Sequence, residues 1–147
     1  MINFNNKNKF KIDISGNSPA IYPLKKTVID MNLVNSLIQY SKKNSNVNCR
    51  ICLHKNIKSH IQNMIVLLNK KNRKFFKFHS HINSNEYYYL IKGSMKIYEK
   101  RFDKIISKKI DNKSHELIYF VEKKILHKIV PISEIVIFNE VKLSPYK

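Results

Sequence analysis

The chain has 147 residues, 43% of which are hydrophobic, and this is enough for one domain with a buried core. No apolar run approaches the length of a membrane-spanning helix, and the polar N-terminus lacks the apolar segment typical of a signal peptide, so we expect a cytoplasmic protein. Lysine and arginine outnumber aspartate and glutamate by 28 to 10, which gives a net charge of +18.

This positive charge is spread along the whole chain rather than gathered in one segment. The lysines are accompanied by abundant asparagine and isoleucine, and no helix-turn-helix, zinc-finger or RNA-binding signature localises them. We therefore interpret the charge as a solvated lysine surface and do not expect nucleic acid or a membrane as a partner. A long-range attraction for an anionic substrate is the alternative.

Residues 1–28 are predicted to form an N-terminal arm, and residues 29–147 the domain that follows it. The arm begins with polar residues and carries prolines at positions 19 and 23. Ile12 and Ile14 alternate with polar neighbours, which indicates a short edge strand. We expect the arm to cover the domain or a neighbouring subunit.

A helix is predicted to begin after Asp30, whose side chain is a suitable N-cap. Apolar and small residues then recur at helical spacing on one face, and Lys42 and Lys43 suit the negative end of the helix dipole. This face is expected to pack on the domain, with a dimer contact as the alternative. Its members are Leu33, Val34, Leu37, Ile38 and Ser41.

Short strands separated by turn residues fill the rest of the chain. Glu86–Lys92 and Ser94–Phe102 are predicted to form a hairpin around Gly93, where a positive φ costs least. Many short strands after one helix are typical of a mainly β fold, here a single antiparallel β-barrel or jelly roll. The other predicted strands span residues 49–54, 61–68, 105–110, 115–121, 125–130 and 135–141.

Cys49 and Cys52 form a C-x-x-C pair, which could indicate a redox pair or half of a zinc site. No second C-x-x-C accompanies it, and an offset of three on a strand sends the two side chains to opposite faces. We therefore interpret both cysteines as unpaired packing thiols.

The segment from Phe78 to Gly93 contains a pattern that suits a metal ion. On a strand, His79 and His81 would leave the same face with their Cα atoms roughly 6.5 Å apart. Residues 83–85 are turn formers that let the chain reverse and bring the carboxylate of Glu86 beside the two rings. Two imidazoles and a carboxylate can bind a divalent metal. The alternative is a chance pair of histidines on an exposed strand.

This spacing, H-x-H-x4-E-x6-G, resembles the first motif of the cupins, a family of small β-barrels. The resemblance implies a fourth ligand from a later histidine, and His127 matches it. Cupins usually carry P-x-G-x-x-H at this place, whereas residues 122–127 lack both the proline and the glycine. His115 is the alternative fourth ligand. Three imidazoles and one carboxylate suit Fe(II), Mn(II), Ni(II) or Zn(II) better than Ca(II) or Mg(II).

The chain also resembles the WbuC-type cupin-fold metalloproteins over its last hundred or so residues. Residues 50–54 (R-I-C-L-H) are similar to the R-x-N-L-H of that family, with Cys52 in place of the asparagine, and residues 62–64 are similar to its Q-R-M. Residues 140–146 are similar to its E-V-K-E-G-P-Y. Members are often associated with O-antigen and other surface-polysaccharide loci. The resemblance implies a sugar or sugar nucleotide as substrate, in lipopolysaccharide or related biosynthesis.

Four residues are candidates for catalytic roles beside the metal. Arg50 and Gln62 are expected to face the barrel interior, where they could orient a carbonyl or carboxylate. Tyr88 shares a strand face with Glu86 and is a candidate proton donor, and His54 is a candidate base. The alternatives are a surface or ion-paired arginine, a core tyrosine with a satisfied hydroxyl, and a packed histidine.

Three functions follow from these observations. The first is a metal-dependent enzyme, such as an isomerase or epimerase, that acts on a sugar or sugar nucleotide. The second is an Fe(II)-dependent dioxygenase, and the third is a binding module in which the metal stabilises the fold. A homodimer is expected because cupins commonly pair through edge strands or an N-terminal arm.

Overall fold

A computed structural model describes residues 1–56, 58–73, 76–113 and 118–143 of the chain. These residues form one helix and ten strands that are arranged in two sheets. In chain order the elements are β1 (Phe10–Asp13), β2 (Ala20–Pro23), α1 (Met31–Lys43), β3 (Cys49–Cys52), β4 (Ile61–Asn69), β5 (Glu86–Lys92), β6 (Ser94–Arg101), β7 (Lys104–Asp111), β8 (Ile118–Val121), β9 (Leu126–Pro131) and β10 (Ile135–Leu143).

The large sheet has the strand order β1-β2-β3-β4-β10-β5-β8, and the small sheet has the order β7-β6-β9. Apolar residues of both sheets meet in one core cluster, which includes Met95 and Ile97 from the small sheet and Val136 and Phe138 from the large sheet. The fold is therefore a cupin-like β sandwich, and the predicted mainly β class with one helix is confirmed. The sheets are not closed into a barrel, and β2 pairs with β3 in parallel, so the pairing is not wholly antiparallel.

The predicted hairpin around Gly93 is wrong, although both strands are present. β5 pairs with β10 and β8 in the large sheet, whereas β6 pairs with β7 and β9 in the small sheet. Gly93 has a φ of +88°, and a Cβ there would meet the backbone oxygen of Ile135 and the hydroxyl of Ser133. The glycine therefore lets the chain cross from one sheet to the other where the backbone is crowded.

The prediction of a helix after Asp30 is confirmed. Asp30 caps it by accepting a hydrogen bond from the Leu33 amide at 2.8 Å, and the predicted apolar face is buried. This face packs on the large sheet together with Phe4, Phe10 and Ile21 of the N-terminal segment. Within that segment β1 and β2 pair with each other, and β2 extends the large sheet beyond β3.

The expectation that His79 and His81 lie on a regular strand is corrected. Of the two, only His79 makes a β-bridge, with His127, and neither belongs to a strand. Cys49 and Cys52 are free and buried, as predicted, and Cys49 belongs to the core under the helix. His115 and residues 144–147 lie outside the described residues. No helix in the described part of the chain is long and apolar enough to cross a membrane.

Strand register aligns the polar residues on the inner face of the large sheet. Lys142 of β10 lies between Glu86 of β5 and Gln62 of β4, so these three side chains form one row across the sheet. The next row places Glu140 between Tyr88 and Met64, because successive residues of a strand alternate between its two faces. The fold thus gathers on one surface residues that are far apart in the sequence.

Candidate metal centre

Three imidazoles and one carboxylate converge beside the inner face of the large sheet. His79, His81, Glu86 and His127 each offer one ligand atom, and these atoms all lie within 4.8 Å of one another. Glu86 and His127 are buried, His81 is partly buried and His79 is exposed. The structure therefore brings together His79, His81 and Glu86 with His127, one of the two candidates for the fourth ligand, while the other, His115, lies outside the described residues.

The position of His127 depends on two backbone contacts and one strained turn. The amides of His79 and His127 donate hydrogen bonds to each other's carbonyl oxygens, at 2.9 and 2.8 Å. Lys124, which stands where cupins usually have glycine, adopts a φ of +68°, and its amide donates to the His81 carbonyl at 2.7 Å. The chain thus forms a left-handed turn without the expected glycine, and this turn holds the three histidines together.

Backbone carbonyls orient two of the rings. Nδ1 of His127 lies 2.9 Å from the Ile125 carbonyl oxygen, and Nδ1 of His79 lies 3.2 Å from that of Lys77. Because a carbonyl can only accept, each Nδ1 carries the proton in these contacts. Nε2 is then the nitrogen that each ring presents to a cation, and this is the usual arrangement for a metal-binding histidine.

Opposing influences set the charge of the buried carboxylate. Burial alone would raise the pKa of Glu86, but the adjacent rings of His127 and His81 and the ammonium of Lys142 hold that pKa well below its usual range. The His127 pKa is lowered by burial but raised more strongly by Glu86, so it lies above its ordinary value. Burial of the ring and the neighbouring His127 lower the pKa of His79, although the residue as a whole is exposed.

One oxygen of the carboxylate has an ion-pair partner but no hydrogen-bond donor among the described residues. Oε1 of Glu86 accepts no hydrogen bond from the described residues, although it forms an ion pair with Lys142 Nζ at 2.5 Å and lies 3.0 Å from His81 Nε2. A buried acceptor of this kind surrounded by imidazole nitrogens fits a metal ion, which needs no donor hydrogen. The donor set of three nitrogens and one carboxylate suits a divalent transition metal.

Tyr88 lies directly beside this group and is fully buried. Its hydroxyl donates a hydrogen bond to Oε2 of Glu86, and it lies 3.1 Å from Nε2 of His127. The tyrosine therefore contacts two candidate ligands, as expected of a residue that shares a strand face with Glu86.

Lys142 was not identified from the sequence, although it is buried and touches the centre. Its Nζ lies 3.1 Å from His81 Nε2 and 3.0 Å from Glu140 Oε1, in addition to its contact with Glu86. Alternation along β10 could have indicated that Lys142 and Glu140 share a face. The partner strands of β10, and hence the contact with Glu86, could not be read from the sequence.

A cavity of about 590 Å³ opens beside the metal group and extends across the large sheet. His79, His81, Tyr88 and Lys142 line one part of it, and the other candidates line it as well: Arg50, His54 and Gln62. The guanidinium of Arg50 donates to the Ser18 hydroxyl at 3.2 Å, and no carboxylate among the described residues lies within ion-pair distance of it. The cavity therefore combines a candidate metal group with a cation that has no carboxylate partner.

Comparisons with solved structures support the fold. The hydroxypropylphosphonic acid epoxidase from S. wedmorenis is 15% identical with a TM-score of 0.52, over 64% of this chain and 49% of that one. An iron(II) form of HppE in complex with substrate is 15% identical to this chain with a TM-score of 0.54, over 65% of this chain and 54% of that one. A protein from Shewanella oneidensis is 11% identical with a TM-score of 0.52, over 61% and 59%.

At these identities the similarity shows the fold alone, and the chain spans about half the length of the epoxidase structure. No protein-family profile matches the chain. No curated protein matches it either.

Proposed function

We propose that this protein is a metal-dependent enzyme that acts on a small molecule in the cavity. The observation that carries the proposal is the convergence of His79, His81, Glu86 and His127, four ligand side chains, at the edge of a 590 Å³ cavity. A bound divalent transition metal would supply Lewis-acid chemistry at a carbonyl or hydroxyl oxygen, or redox chemistry if it is iron. Fe, Mn, Ni and Zn all suit the four ligands.

Two residues beside the metal group are suited to move or hold a proton. Tyr88 Oη contacts both Glu86 and His127, and Lys142 Nζ contacts His81 and lines the cavity. We assign Tyr88 the role of proton donor to the substrate, because its hydroxyl is fixed by two partners at the cavity wall. His54 and Gln62, which also line the cavity, are assigned to binding and orientation of the substrate.

The proposed substrate is a sugar or sugar nucleotide that carries an anionic group at a distance from its reacting atoms. Arg50 lies on β3, and the order β3-β4-β10-β5 places it three strand spacings across the sheet from Glu86, which is roughly 14 Å at the usual distance between strands. The register adds an offset of four residues along the strands, because Arg50 pairs with Val66 whereas Glu86 lies in the row of Gln62. An arginine can bind a phosphate or carboxylate in a two-point contact. The resemblance to the WbuC-type proteins favours an isomerase or epimerase of surface-polysaccharide biosynthesis, which is an argument from analogy.

The test is a binding and turnover panel with nucleotide sugars and their sugar phosphates. We expect calorimetry on the metal-loaded protein to detect one or more ligands, and Arg50→Gln to weaken that binding while the metal content stays unchanged. Arg73→Gln is the matched control, because Arg73 is exposed and does not line the cavity. If no compound binds or reacts, or if both arginine variants behave alike, this substrate assignment is wrong.

A second candidate is an Fe(II)-dependent oxygenase, which is favoured by the similarity of the fold to iron(II) and cobalt(II) forms of HppE. This alternative predicts a preference for iron and consumption of dioxygen together with substrate. Full activity under anaerobic conditions would exclude it.

A further inference from the structure

Lys142 is a buried cation in direct contact with two of the candidate metal ligands. Its ammonium lies 3.1 Å from His81 Nε2 and 2.5 Å from Glu86 Oε1. Its side chain is only 7% exposed, so water screens these contacts little. A lysine at this position is unexpected beside a group that is suited to a divalent cation, because two positive charges repel strongly in a buried site.

The contacts of Lys142 involve the same electron pairs that a metal would use. Nε2 of His81 has one lone pair in the plane of its ring, and it cannot direct that pair to the Lys142 ammonium and to a metal at the same time. Oε1 of Glu86 is the oxygen that accepts no hydrogen bond from the described residues, and it too faces the ammonium. The lysine and a metal ion therefore compete for His81 and Glu86.

We propose that Lys142 is an internal cation that competes with the metal and thereby sets the affinity of the centre. The proposal rests on the metal site described under the proposed function. The ammonium neutralises the buried carboxylate when no metal is bound, and it must move when a metal binds. Lys142 is thus a residue that determines metal affinity, whereas the four ligands determine which metals fit.

Glu140 provides the second half of this arrangement. Its Oε1 lies 3.0 Å from Lys142 Nζ, and Glu140 precedes Lys142 by two residues on the same face of β10. Glu140 can therefore retain the ammonium when Glu86 is taken by the metal, which lowers the cost of displacing the lysine. Changes at Lys142 and at Glu140 should then act on metal affinity in opposite directions.

The test measures Zn(II) and Mn(II) dissociation constants by competition with a chelator. Lys142→Leu removes the charge without adding a metal ligand, and we expect it to bind both metals roughly tenfold more tightly or better. Lys142→Arg keeps the charge and should not bind more tightly than the parent protein. Glu140→Gln should bind more weakly, and its effect should shrink when it is combined with Lys142→Leu.

A stability measurement separates this role from simple damage to the fold. After removal of metal with a chelator, Lys142→Leu should unfold at a lower temperature than the parent, because buried Glu86 has lost its ammonium partner. Added Zn(II) should raise the unfolding temperature of Lys142→Leu more than that of the parent, because a metal that binds the folded state more tightly stabilises it more. A purely structural defect would lower both the stability and the metal affinity.

Each outcome bears on a distinct part of the account. If the parent binds metal and Lys142→Leu binds equally or more weakly, the competition is excluded and the metal site stands. Equal effects of Glu140→Gln with and without Lys142 would also contradict it, since Glu140 would then act by its own charge. If neither the parent nor Lys142→Leu binds metal, the proposed metal site is wrong, and the proposed competition is wrong as well.

Discussion

At the scale of single residues, His54 shows how the cavity wall tunes a side chain. Nδ1 of its ring lies 3.1 Å from the Asn63 carbonyl oxygen, and Tyr22 packs edge-on against it. Burial lowers the pKa of His54, and the charge of Arg50 lowers it further, while the backbone of Asn63 opposes both. The neutral imidazole is therefore favoured, as a base or an orienting group in the cavity requires.

This shift predicts a pH dependence of stability. The pKa of His54 is near 6.5 in the unfolded chain and lower in the folded protein. Between these two pKa values the unfolded chain therefore binds more protons than the folded protein. The contribution of neutral His54 to the free energy of unfolding is fully present above pH 6.5, and it is lost as the pH falls from 6.5 to the lower pKa of the folded protein. We expect the parent to lose more unfolding free energy than His54→Gln between pH 7.5 and 5.5 in urea titrations. Identical losses in the two proteins would contradict the shift.

The candidate ligands could be predicted from sequence, but Lys142 could not. Two histidines, a glutamate and a glycine follow one another in a short segment, and their spacing alone indicates a shared site. The place of Lys142 depends on the register of β10 against β5, which is fixed by packing across the whole sheet. Long-range register of this kind leaves no local pattern in a single sequence.

At the scale of elements, the turn before β9 has a positive φ at Lys124, the position at which the cupin motif has a glycine. Lys124 holds a φ of +68°, and the Ile125 amide donates to the Glu122 carbonyl at 3.3 Å to close the turn. A left-handed conformation is costly for a residue with a Cβ, so the neighbouring contacts of the histidine segment must maintain it.

Lys124→Gly is therefore predicted to stabilise the protein by about 1 kcal/mol, because glycine adopts a positive φ without that cost. The free energy of unfolding in urea measures the effect. Lys123→Gly is the matched control, since Lys123 is exposed in the same turn and is not among the residues with a positive φ. It should not be stabilised. A loss of stability in Lys124→Gly would mean that the turn is not strained at this residue.

The strands themselves were easier to predict than their partners. The eight strand segments predicted between residues 49–54 and 135–141 each contain a β-strand where they are described, whereas the strand expected to carry His79 and His81 is not formed. Gly93 signals a change of direction, but a glycine at a bend does not say whether the chain returns to the same sheet. The crossing between sheets is set by how the two apolar faces meet, and this is a property of the assembled core.

At the scale of the whole molecule, the two sheets and the helix divide the apolar residues into separate layers. One cluster lies between the helix and the large sheet, and another lies between the two sheets. The polar residues of the inner face remain beside the second cluster and line the cavity. If the proposed anionic substrate is correct, the net charge of +18 would attract it to the protein over a long range.

The central claim is that the three imidazoles and the carboxylate hold a metal ion, and elemental analysis of protein purified without a histidine tag tests it most directly. Three proteins are compared after the same loading and dialysis: the parent, the double variant His79→Ala and His81→Ala, and His60→Ala. His60 is exposed and lies outside the group of candidate ligands, so its variant controls for the loss of a histidine.

We predict that the parent and His60→Ala carry close to stoichiometric Fe, Mn, Ni or Zn, and that the double variant loses it. A parent that takes up no metal under any loading condition, or a double variant that retains as much metal as the parent, would contradict the account.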